Sequence, residues 1–287
     1  MSGPQVEITV DDHTVTVAEG ESLLTACRAA GTDIPTLCYG DTVEAANACR
    51  LCMVELEGSR TLVPSCSRPV EPGMIVHTDT ERTRHARKMV LEFLASTVDL
   101  STTPRVAGWM AEFGADPNRY GPGAATVAQP VKLDNELYVR DYAKCILCYQ
   151  CVAACGEEWQ NTFAIAVAGR GLNARISTEF DVGLPDSSCV YCGNCIAVCP
   201  TGALMPLSEH RMRADATWDE DRQTLTDTIC PYCGVGCTLT LHVQDNTIVK
   251  VTSPHDHDIT SGNLCIKGRF GFEHVQVRPQ GDGPRAE

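Results

Sequence analysis

Short runs of alternating hydrophobic and polar positions mark the first eighty residues. Residues 6–17 alternate β-branched and polar side chains around Asp11-Asp12, which predicts a β-hairpin. Residues 22–30 end at Gly31 and predict a short helix closed by a glycine. Residues 53–56 and 74–76 supply later strands. A hairpin, a helix and further strands together predict a small α+β module.

Beyond this module the pattern of apolar positions predicts a mixture of helix, connector and strand. Residues 79–96 carry apolar side chains at three- and four-residue spacing, which predicts a helix. Residues 100–137 contain several Pro and Gly and no cysteine, and predict a packed connector. Residues 209–228 are polar and predict a linker, whereas residues 239–251 alternate like strands. The polar tail at 279–287 is expected to be mobile.

Composition points away from one large hydrophobic core. Only 6% of the 287 residues are aromatic and 43% are hydrophobic, but 17 are cysteines. The N-terminus has no signal-peptide pattern and no stretch is long enough to span a bilayer, so we expect a cytoplasmic protein. Its thiols would then stay reduced and serve as metal ligands rather than form disulfides. The formal charge of −14 argues against nucleic-acid binding.

The central cysteines form an internal repeat, with runs at 145–155 and 189–199 that align without gaps. Each run has the spacing C-x(2)-C-x(2)-C-x(3)-C of bacterial ferredoxins, and Pro200 follows the second. Three cysteines wrap one cluster, while the fourth is expected to start a helix and reach the other cluster. Zinc prefers two separated C-x(2)-C pairs and fits this pattern poorly. The sequence predicts two [4Fe–4S] clusters, with ligands Cys145, Cys148, Cys151 and Cys199 for one and Cys155, Cys189, Cys192 and Cys195 for the other.

The N-terminal cysteines Cys38, Cys49, Cys52 and Cys66 have the spacing C-x(10)-C-x(2)-C-x(13)-C. The plant-type [2Fe–2S] core has a shorter first gap and a distant fourth cysteine. A four-cysteine zinc site contains similar pairs, so the spacing alone leaves zinc open. The strand and helix pattern around these residues favours a [2Fe–2S] cluster. Cys27 remains over, inside a predicted helix, and is interpreted as a buried structural thiol.

Residues 6–95 resemble the N-terminal domain of the large iron–sulfur subunit of respiratory complex I and of its relatives in NAD-linked formate dehydrogenases and hydrogenases. Residues 48–55 (ACRLCMVE) and 64–66 (PSC) carry this resemblance. In that family a further cubane bound by one His and three Cys follows. Here His85 is present, but no cysteine occurs between Cys66 and Cys145. We therefore expect that cluster to be absent and His85 to be an ordinary exposed or capping residue.

The last cysteines, Cys230, Cys233, Cys237 and Cys265, give C-x(2)-C-x(3)-C-x(27)-C. A small zinc ribbon is the alternative, although a third close cysteine is atypical of it. The segment, which ends in CIKGR, resembles the N-terminal cubane domain of molybdenum or tungsten bis-pterin oxidoreductases, most closely formate dehydrogenases. The resemblance implies a third [4Fe–4S] cluster and a cofactor-binding role for Lys267, between the cluster and the pterin.

The large pterin-binding domains of that family do not follow Cys265 in this sequence. We therefore expect no catalytic residue here, and either a naturally split gene or a truncated piece; the polar tail favours the split. The resemblance implies a partner chain that carries a Mo/W-bis-pterin. It also implies a flavin- and NAD-binding subunit with additional iron–sulfur clusters.

The favoured function is relay of single electrons between a formate dehydrogenase catalytic subunit and a flavin/NAD or other acceptor subunit. One alternative is an electron-transfer subunit of an NAD-linked hydrogenase or complex-I-like diaphorase. Another is a free-standing ferredoxin-like carrier. The last cysteine block argues against the hydrogenase alternative, because small hydrogenase subunits would lack a molybdenum-family cubane domain leading to Lys267. Co-purification with a large pterin protein would separate the favoured function from a free-standing carrier.

The expected fold class is α+β, assembled from separate iron–sulfur modules. The predicted domains are a β-grasp [2Fe–2S] domain at 1–80, a helix and connector at 81–137, a two-[4Fe–4S] ferredoxin domain at 138–208, a linker at 209–228, and a small β-rich [4Fe–4S] domain at 229–287.

Overall fold

A computed structural model describes residues 4–121, 129–257 and 259–276. The first module is a five-stranded mixed sheet in the order β2-β1-β5-β3-β4, with β1 parallel to β5. Its strands are β1 Gln5–Val10, β2 His13–Ala18, β3 Met53–Leu56, β4 Val63–Pro64 and β5 Ile75–His77.

The predicted hairpin around Asp11-Asp12 is confirmed. Both residues take left-handed backbone angles, φ 45° for Asp11 and 69° for Asp12, as a two-residue hairpin turn between twisted strands requires. The Asp11 carboxylate accepts a hydrogen bond of 2.7 Å from the Thr78 backbone N–H, which fixes the turn against the end of β5.

The predicted short helix is α1, Leu23–Ala29, and it packs against the sheet. Its first turn is capped by Ser22, whose hydroxyl accepts a hydrogen bond from the Thr25 N–H at 3.2 Å. Gly31 follows the helix with φ 81°, a conformation that glycine adopts without strain. The buried core of this module includes Ile8, Val10, Leu23, Leu24, Val54 and Val76.

Two helices follow the sheet. The predicted helix is α2, Glu81–Thr97, which begins with a capping box between Thr80 and Thr83. The predicted connector at 100–137 contains a further helix, α3 Pro104–Phe113, so that part of the expectation was wrong. Proline occupies its first turn, where the missing N–H costs nothing, and Gly114 ends it with φ 65°.

The second module contains two antiparallel strand pairs and two short helices that pack on each other. Strand β6 pairs with β9, and β7 pairs with β8. The elements are β6 Tyr138–Arg140, α4 Gln150–Cys155, β7 Ala166–Ala168, β8 Arg175–Ser177, α5 Asn194–Ala197 and β9 Leu204–Pro206.

The third module is an antiparallel sheet in the order β10-β11-β12, and the predicted strands at 239–251 are confirmed. Strand β10 is exposed along its whole length. The elements are α6 Leu207–Ala214, β10 Thr224–Ile229, β11 Thr238–Gln244, β12 Thr247–Thr252, α7 Ile266–Phe270 and α8 Glu273–Gln276.

The segment 209–228, expected to be a linker, consists largely of regular structure. It holds most of α6 and nearly all of β10. Glu209 on α6 is bridged by Lys250 of β12 at 3.0 Å, and the Ser208 hydroxyl donates to the Val249 carbonyl at 2.6 Å. Helix α6 also contacts β6 and β9, so it packs between the second and third modules. The predicted tail at 279–287 lies outside the described residues.

No helix in the described ranges combines the length and the apolar character that crossing a bilayer requires.

Candidate metal centres

The four N-terminal cysteines are brought together as two pairs. Cys38 lies in hydrogen-bond contact with Cys49, and Cys52 with Cys66. Within each pair this contact lowers the pKa of one thiol, Cys49 or Cys52, and raises the pKa of the other. Each pair therefore contains one thiol that ionises more readily than a free cysteine, and the thiolate is the form that binds metal.

The loop that precedes Cys49 is shaped around the Cys38 sulfur. The backbone N–H groups of Ala48 and Cys49 each donate to Cys38 Sγ at 3.2 Å. Asn47 and Arg50 on either side have φ values of 53° and 59°, so the loop turns back on itself. Donors aimed at a ligating sulfur stabilise its negative charge and tune the bound metal.

The two repeat runs enclose two cavities, and each cavity is lined by one of the predicted cysteine quartets. One cavity is lined by Cys145, Cys148, Cys151 and Cys199, which we call the first cubane site. The other is lined by Cys155, Cys189, Cys192 and Cys195, which we call the second cubane site. Each site takes three cysteines from one run and the last cysteine of the other, as the sequence predicts.

The repeat is also present in the backbone. Leu147 and Tyr149 have φ values of 52° and 64°, and the aligned Tyr191 and Gly193 have φ values of 55° and 71°. Both loops thus curl in the same way between their cysteines before a helix begins. The expectation that each fourth cysteine starts a helix was wrong, because Cys155 is the last residue of α4 and Cys199 lies beyond the end of α5.

The surroundings of the two cubane sites differ in charge. The second site is lined by Tyr138, whose hydroxyl lies 3.2 Å from Cys189 Sγ, and by the buried Arg140, which pairs with Asp134. In the described part of the chain, the first site is lined by uncharged side chains only, among them Ile146 and Ile176. Electrostatics around the two sites are therefore unequal.

The third module gathers its cysteines at the start of β11 and of α7. The Cys230 N–H donates to the Cys237 carbonyl at 2.8 Å. Burial and the charges of Cys230, Cys233 and Cys265 raise the pKa of Cys237, so the other three thiols lie within electrostatic range of Cys237. Cys230 is buried, whereas Cys233 and Cys265 are exposed. Lys267, on α7, is also exposed, so this site lies open at the surface.

Two buried side chains connect these sites, and sequence reasoning missed both. Gln150, at the start of α4, donates from Nε2 to the Leu37 carbonyl at 3.0 Å, which links the first module to the first cubane site. Arg269, on α7, donates from Nε to the Cys192 carbonyl at 3.0 Å, which links the third module to the second cubane site. Neither residue belongs to a spacing motif, and only the folded chain brings their partners near.

Two further residues occupy the positions that the sequence suggests. Cys27 is fully buried in α1, and burial raises its thiol pKa to about 12, which confirms a structural thiol. His85 is exposed on α2.

The segment after α2 packs apolar side chains between the helices and the first-module loop, in a cluster of Leu37, Leu51, Leu91, Val106 and Phe113.

Comparison with protein families assigns a domain type to each cysteine block. Residues 3–81 match the model described as "2Fe-2S iron-sulfur cluster binding domain". Residues 144–203 match "4Fe-4S dicluster domain", and residues 223–277 match "Molybdopterin oxidoreductase Fe4S4 domain". The chain is a multi-module iron–sulfur protein.

Relatives of this iron–sulfur protein belong to several oxidoreductases. It is 33% identical over 275 residues to "NADPH-Fe(3+) oxidoreductase subunit alpha" of Geobacter sulfurreducens, covering 94% of this chain and 31% of that protein. It is 26% identical over 310 residues to "Putative formate dehydrogenase SH0748" of Staphylococcus haemolyticus, covering 93% of this chain and 31% of that protein. The chain thus spans about a third of the length of these relatives.

A mitochondrial protein is a further relative. The chain is 30% identical over 285 residues to "NADH-ubiquinone oxidoreductase 78 kDa subunit, mitochondrial" of Candida albicans, covering 96% of this chain and 38% of that protein. Similar iron–sulfur modules therefore occur in proteins with different overall reactions.

A solved structure shares the fold over much of the chain. A chain of the NAD⁺-reducing [NiFe]-hydrogenase in the H2-reduced state superposes with a TM-score of 0.63 and 26% sequence identity. The match covers 70% of this chain and 87% of that chain. The fold of this chain therefore recurs over most of that hydrogenase chain.

Proposed function

We propose that this chain is an electron-transfer subunit that holds one [2Fe–2S] and three [4Fe–4S] clusters. The proposed ligands of the [2Fe–2S] cluster are Cys38, Cys49, Cys52 and Cys66. Two [4Fe–4S] clusters would occupy the first and second cubane sites. The third [4Fe–4S] cluster would be bound by Cys230, Cys233, Cys237 and Cys265. When bound, such clusters accept and release single electrons. Sixteen of the 17 cysteines fill these quartets, and Cys27 is the remaining one.

The two thiol-lined cavities of the second module carry this proposal. Each presents four sulfurs and otherwise mainly apolar walls, and soft thiolates are the donors that iron–sulfur clusters take. The first quartet divides into the pairs Cys38/Cys49 and Cys52/Cys66, which suits two irons with two cysteines each. The donor sets therefore fit the proposed clusters.

The order of the sites follows from the two buried links. Gln150 joins the chain next to Cys38 to the helix that carries Cys151, a ligand of the first cubane site. Cys151 and Cys195 lie within electrostatic range of each other, so the two cubane sites are neighbours. Arg269 joins the second cubane site to the helix that begins after Cys265. We infer a linear relay from the [2Fe–2S] module through the two cubanes to the third module.

For partners, we propose a Mo/W-bis-pterin formate dehydrogenase catalytic subunit at the third module and a flavin/NAD-binding subunit near the first. The match of residues 223–277 to a molybdopterin oxidoreductase domain supports the former. The exposed Lys267 would contact the pterin. An NAD-linked hydrogenase or complex-I-like role is the second candidate, favoured by the structural similarity to the NAD⁺-reducing hydrogenase.

Metal analysis of the anaerobically purified chain tests the cluster assignment. We expect about 14 iron atoms per chain, with matching sulfide. Cys52→Ser should remove about 2 of these irons and Cys195→Ser about 4, whereas Cys27→Ala should remove none. Zinc in place of iron, or no metal at all, would overturn the proposal.

Partner identity needs a separate experiment. Cys237→Ser should abolish electron exchange with a co-purified pterin protein and leave the [2Fe–2S] spectrum intact. Exchange that survives this change would show that the third module is not the docking end. A stable complex with a hydrogenase subunit would favour the second candidate, and a lone monomer a free-standing carrier.

A further inference from the structure

Arg269 is a buried cation with no acidic partner among the described residues. Its side chain is 3% exposed and inserts from α7 of the third module into the loop of the second cubane site. Nε donates to the Cys192 carbonyl at 3.0 Å, and Nη2 donates to Asn194 Oδ1 at 3.1 Å and to the Gly262 carbonyl at 3.5 Å. All of these partners in the described part of the chain are uncharged oxygens.

Such an arrangement is costly unless an anion lies nearby, because burial removes the hydration of the guanidinium. The sulfurs of Cys192 and Cys195 at the second cubane site lie within electrostatic range of Arg269. A guanidinium keeps its proton in proteins. A cluster bound through the thiolates of this site would be the anion that compensates the buried cation.

The absence of a side chain at Gly193 leaves room for Arg269. Gly193, between Cys192 and Asn194, has φ 71°, and a Cβ at this position would lie 2.3 Å from Arg269 Cδ. Phe270, the next residue, stacks on Tyr138 with ring centroids 6.0 Å apart, and Tyr138 contacts Cys189. The third module therefore contributes two adjacent side chains to the surroundings of the second cubane site.

We propose that Arg269 raises the reduction potential of the cluster at the second cubane site above that of the cluster at the first cubane site. This inference rests on the proposed binding of [4Fe–4S] clusters at both sites. Adding an electron makes a cluster more negative, so a fixed, desolvated cation stabilises the reduced form. The first cubane site, with its uncharged lining, is an internal reference.

This difference in reduction potential determines which of the two cubanes holds an electron when no transfer is under way. An electron shared by the two cubanes resides at the second site, which is the one next to the third module. Because Arg269 belongs to the third module, the reduction potential of the cluster at the second cubane site also depends on how α7 packs against that site.

The experiment is an EPR-monitored redox titration of the full chain, for the wild type and for Arg269→Gln, Arg269→Lys and Arg269→Met. We expect Gln and Met to shift the one-electron equilibrium of the second cluster toward oxidation by about tenfold, equivalent to ~59 mV. Lys retains the charge and should keep most of the potential. The [2Fe–2S] signal should not move.

Arg222→Met is the matched control, since it removes an exposed cation of the same module that pairs with Asp245. An Arg269→Gln protein with full iron content and an unshifted second cluster would overturn the inference. So would a Lys variant that shifts as far as Gln. If the wild type contains no iron, the proposed function itself fails, which is a different result. Should Arg269→Met not fold, the Gln and Lys pair still decides.

Discussion

Gly193 shows how one residue without a side chain joins two modules. Its left-handed backbone continues the cysteine loop, and its missing Cβ leaves room for Arg269 and Phe270. A glycine needed for only one of these two reasons would tolerate substitution by alanine better than Gly193 does. The two requirements can be separated because Gly171 has a similar φ of 58°, yet a Cβ added there would meet no atom of the described residues within 4 Å.

Gly193→Ala is expected to destabilise the second and third modules by well over the ~1–2 kcal/mol that a left-handed alanine costs, because Arg269 must also move. Gly171→Ala should cost only the backbone part. Thermal unfolding of the two holoproteins measures the difference. Equal effects at both positions would contradict the proposed packing of Arg269 against residue 193.

Cys27 offers a test at a thiol that belongs to none of the proposed cluster quartets. The folded state raises its pKa to about 12 from the ordinary 9.0, so stability from the buried thiol is present below pH 9 and is lost as the pH rises toward 12. We expect Cys27→Ala to cost about 1 kcal/mol near neutral pH and to remove that part of the alkaline decline. Denaturant unfolding of the [2Fe–2S] module between about pH 8 and pH 11 measures this. A decline that is unchanged in the variant would contradict it.

At the residue scale the sequence predicted which cysteines line each cavity of the second module, but not which other side chains surround them. Spacing alone grouped the cysteines of both cubane sites, because the run of three and one reflects how a short loop wraps a cluster. Arg269, Gln150 and Tyr138 could not be found in this way. Their roles depend on contacts between positions 51 to 113 residues apart, which no local pattern records.

At the scale of elements, helix α4 is shared between two sites. Its first residue, Gln150, is buried and bonded to the Leu37 carbonyl of the first module, and Cys151 and Cys155 on the same helix line different cubane sites. Trp159, just beyond the helix, donates from Nε1 to the Thr42 carbonyl at 2.9 Å. The segment between Leu37 and Thr42 is thereby held at two points, one at the start of α4 and one just beyond its end.

Gln150→Met removes the donor while keeping the volume, and leaves the Leu37 carbonyl without its partner. We expect a loss of ~1–3 kcal/mol and easier proteolysis of the loop after Cys38. Gln160→Met, at a half-buried position outside this contact, is the control. Denaturant unfolding with limited proteolysis provides the measurement. An unchanged loop in Gln150→Met would show that other contacts hold the modules together.

The elements that the sequence missed have a common physical origin. Helix α3 was hidden because Pro104 and Gly108 suggest a connector, although proline is favourable in a first turn. Helix α6 and strand β10 were hidden because their residues are mostly polar. Helix α6 is stabilised by charge pairs, such as Glu209 with Arg213 at 2.8 Å, and the exposed β10 by pairing with β11. Apolar periodicity cannot reveal either kind of support.

At the scale of the whole molecule, the modules differ in what holds them together. The first has a buried core of mainly aliphatic side chains around Ile8, Leu23 and Val54, which also includes Cys52 and Cys66. In the second, Cys151 belongs to the hydrophobic cluster, and five other cysteines of the two cubane sites pack against it. The third has a small buried cluster of Cys230, Leu239, Val251 and Leu264. Stability in the latter two should therefore depend on bound metal.

Removal of iron by chelation under reducing conditions is expected to unfold the second and third modules and to spare the first. Hydrogen exchange by mass spectrometry should show protection lost over residues 138–206 and 229–276 but kept over 5–77. The untreated holoprotein is the reference. Protection that persists in the second module after complete iron loss would contradict a metal-dependent core.

The exchange of cysteines between the two repeat runs also sets an order for biogenesis. The [2Fe–2S] quartet is complete once Cys66 has left the ribosome. The first cubane site lacks a ligand until Cys199 is made, and Cys155 must wait for the run that begins at Cys189. On the proposed assignment, the second cubane cannot be completed before Cys195 is made and the first not before Cys199, and a nascent chain stalled between positions 155 and 189 would present unpaired ligand thiols.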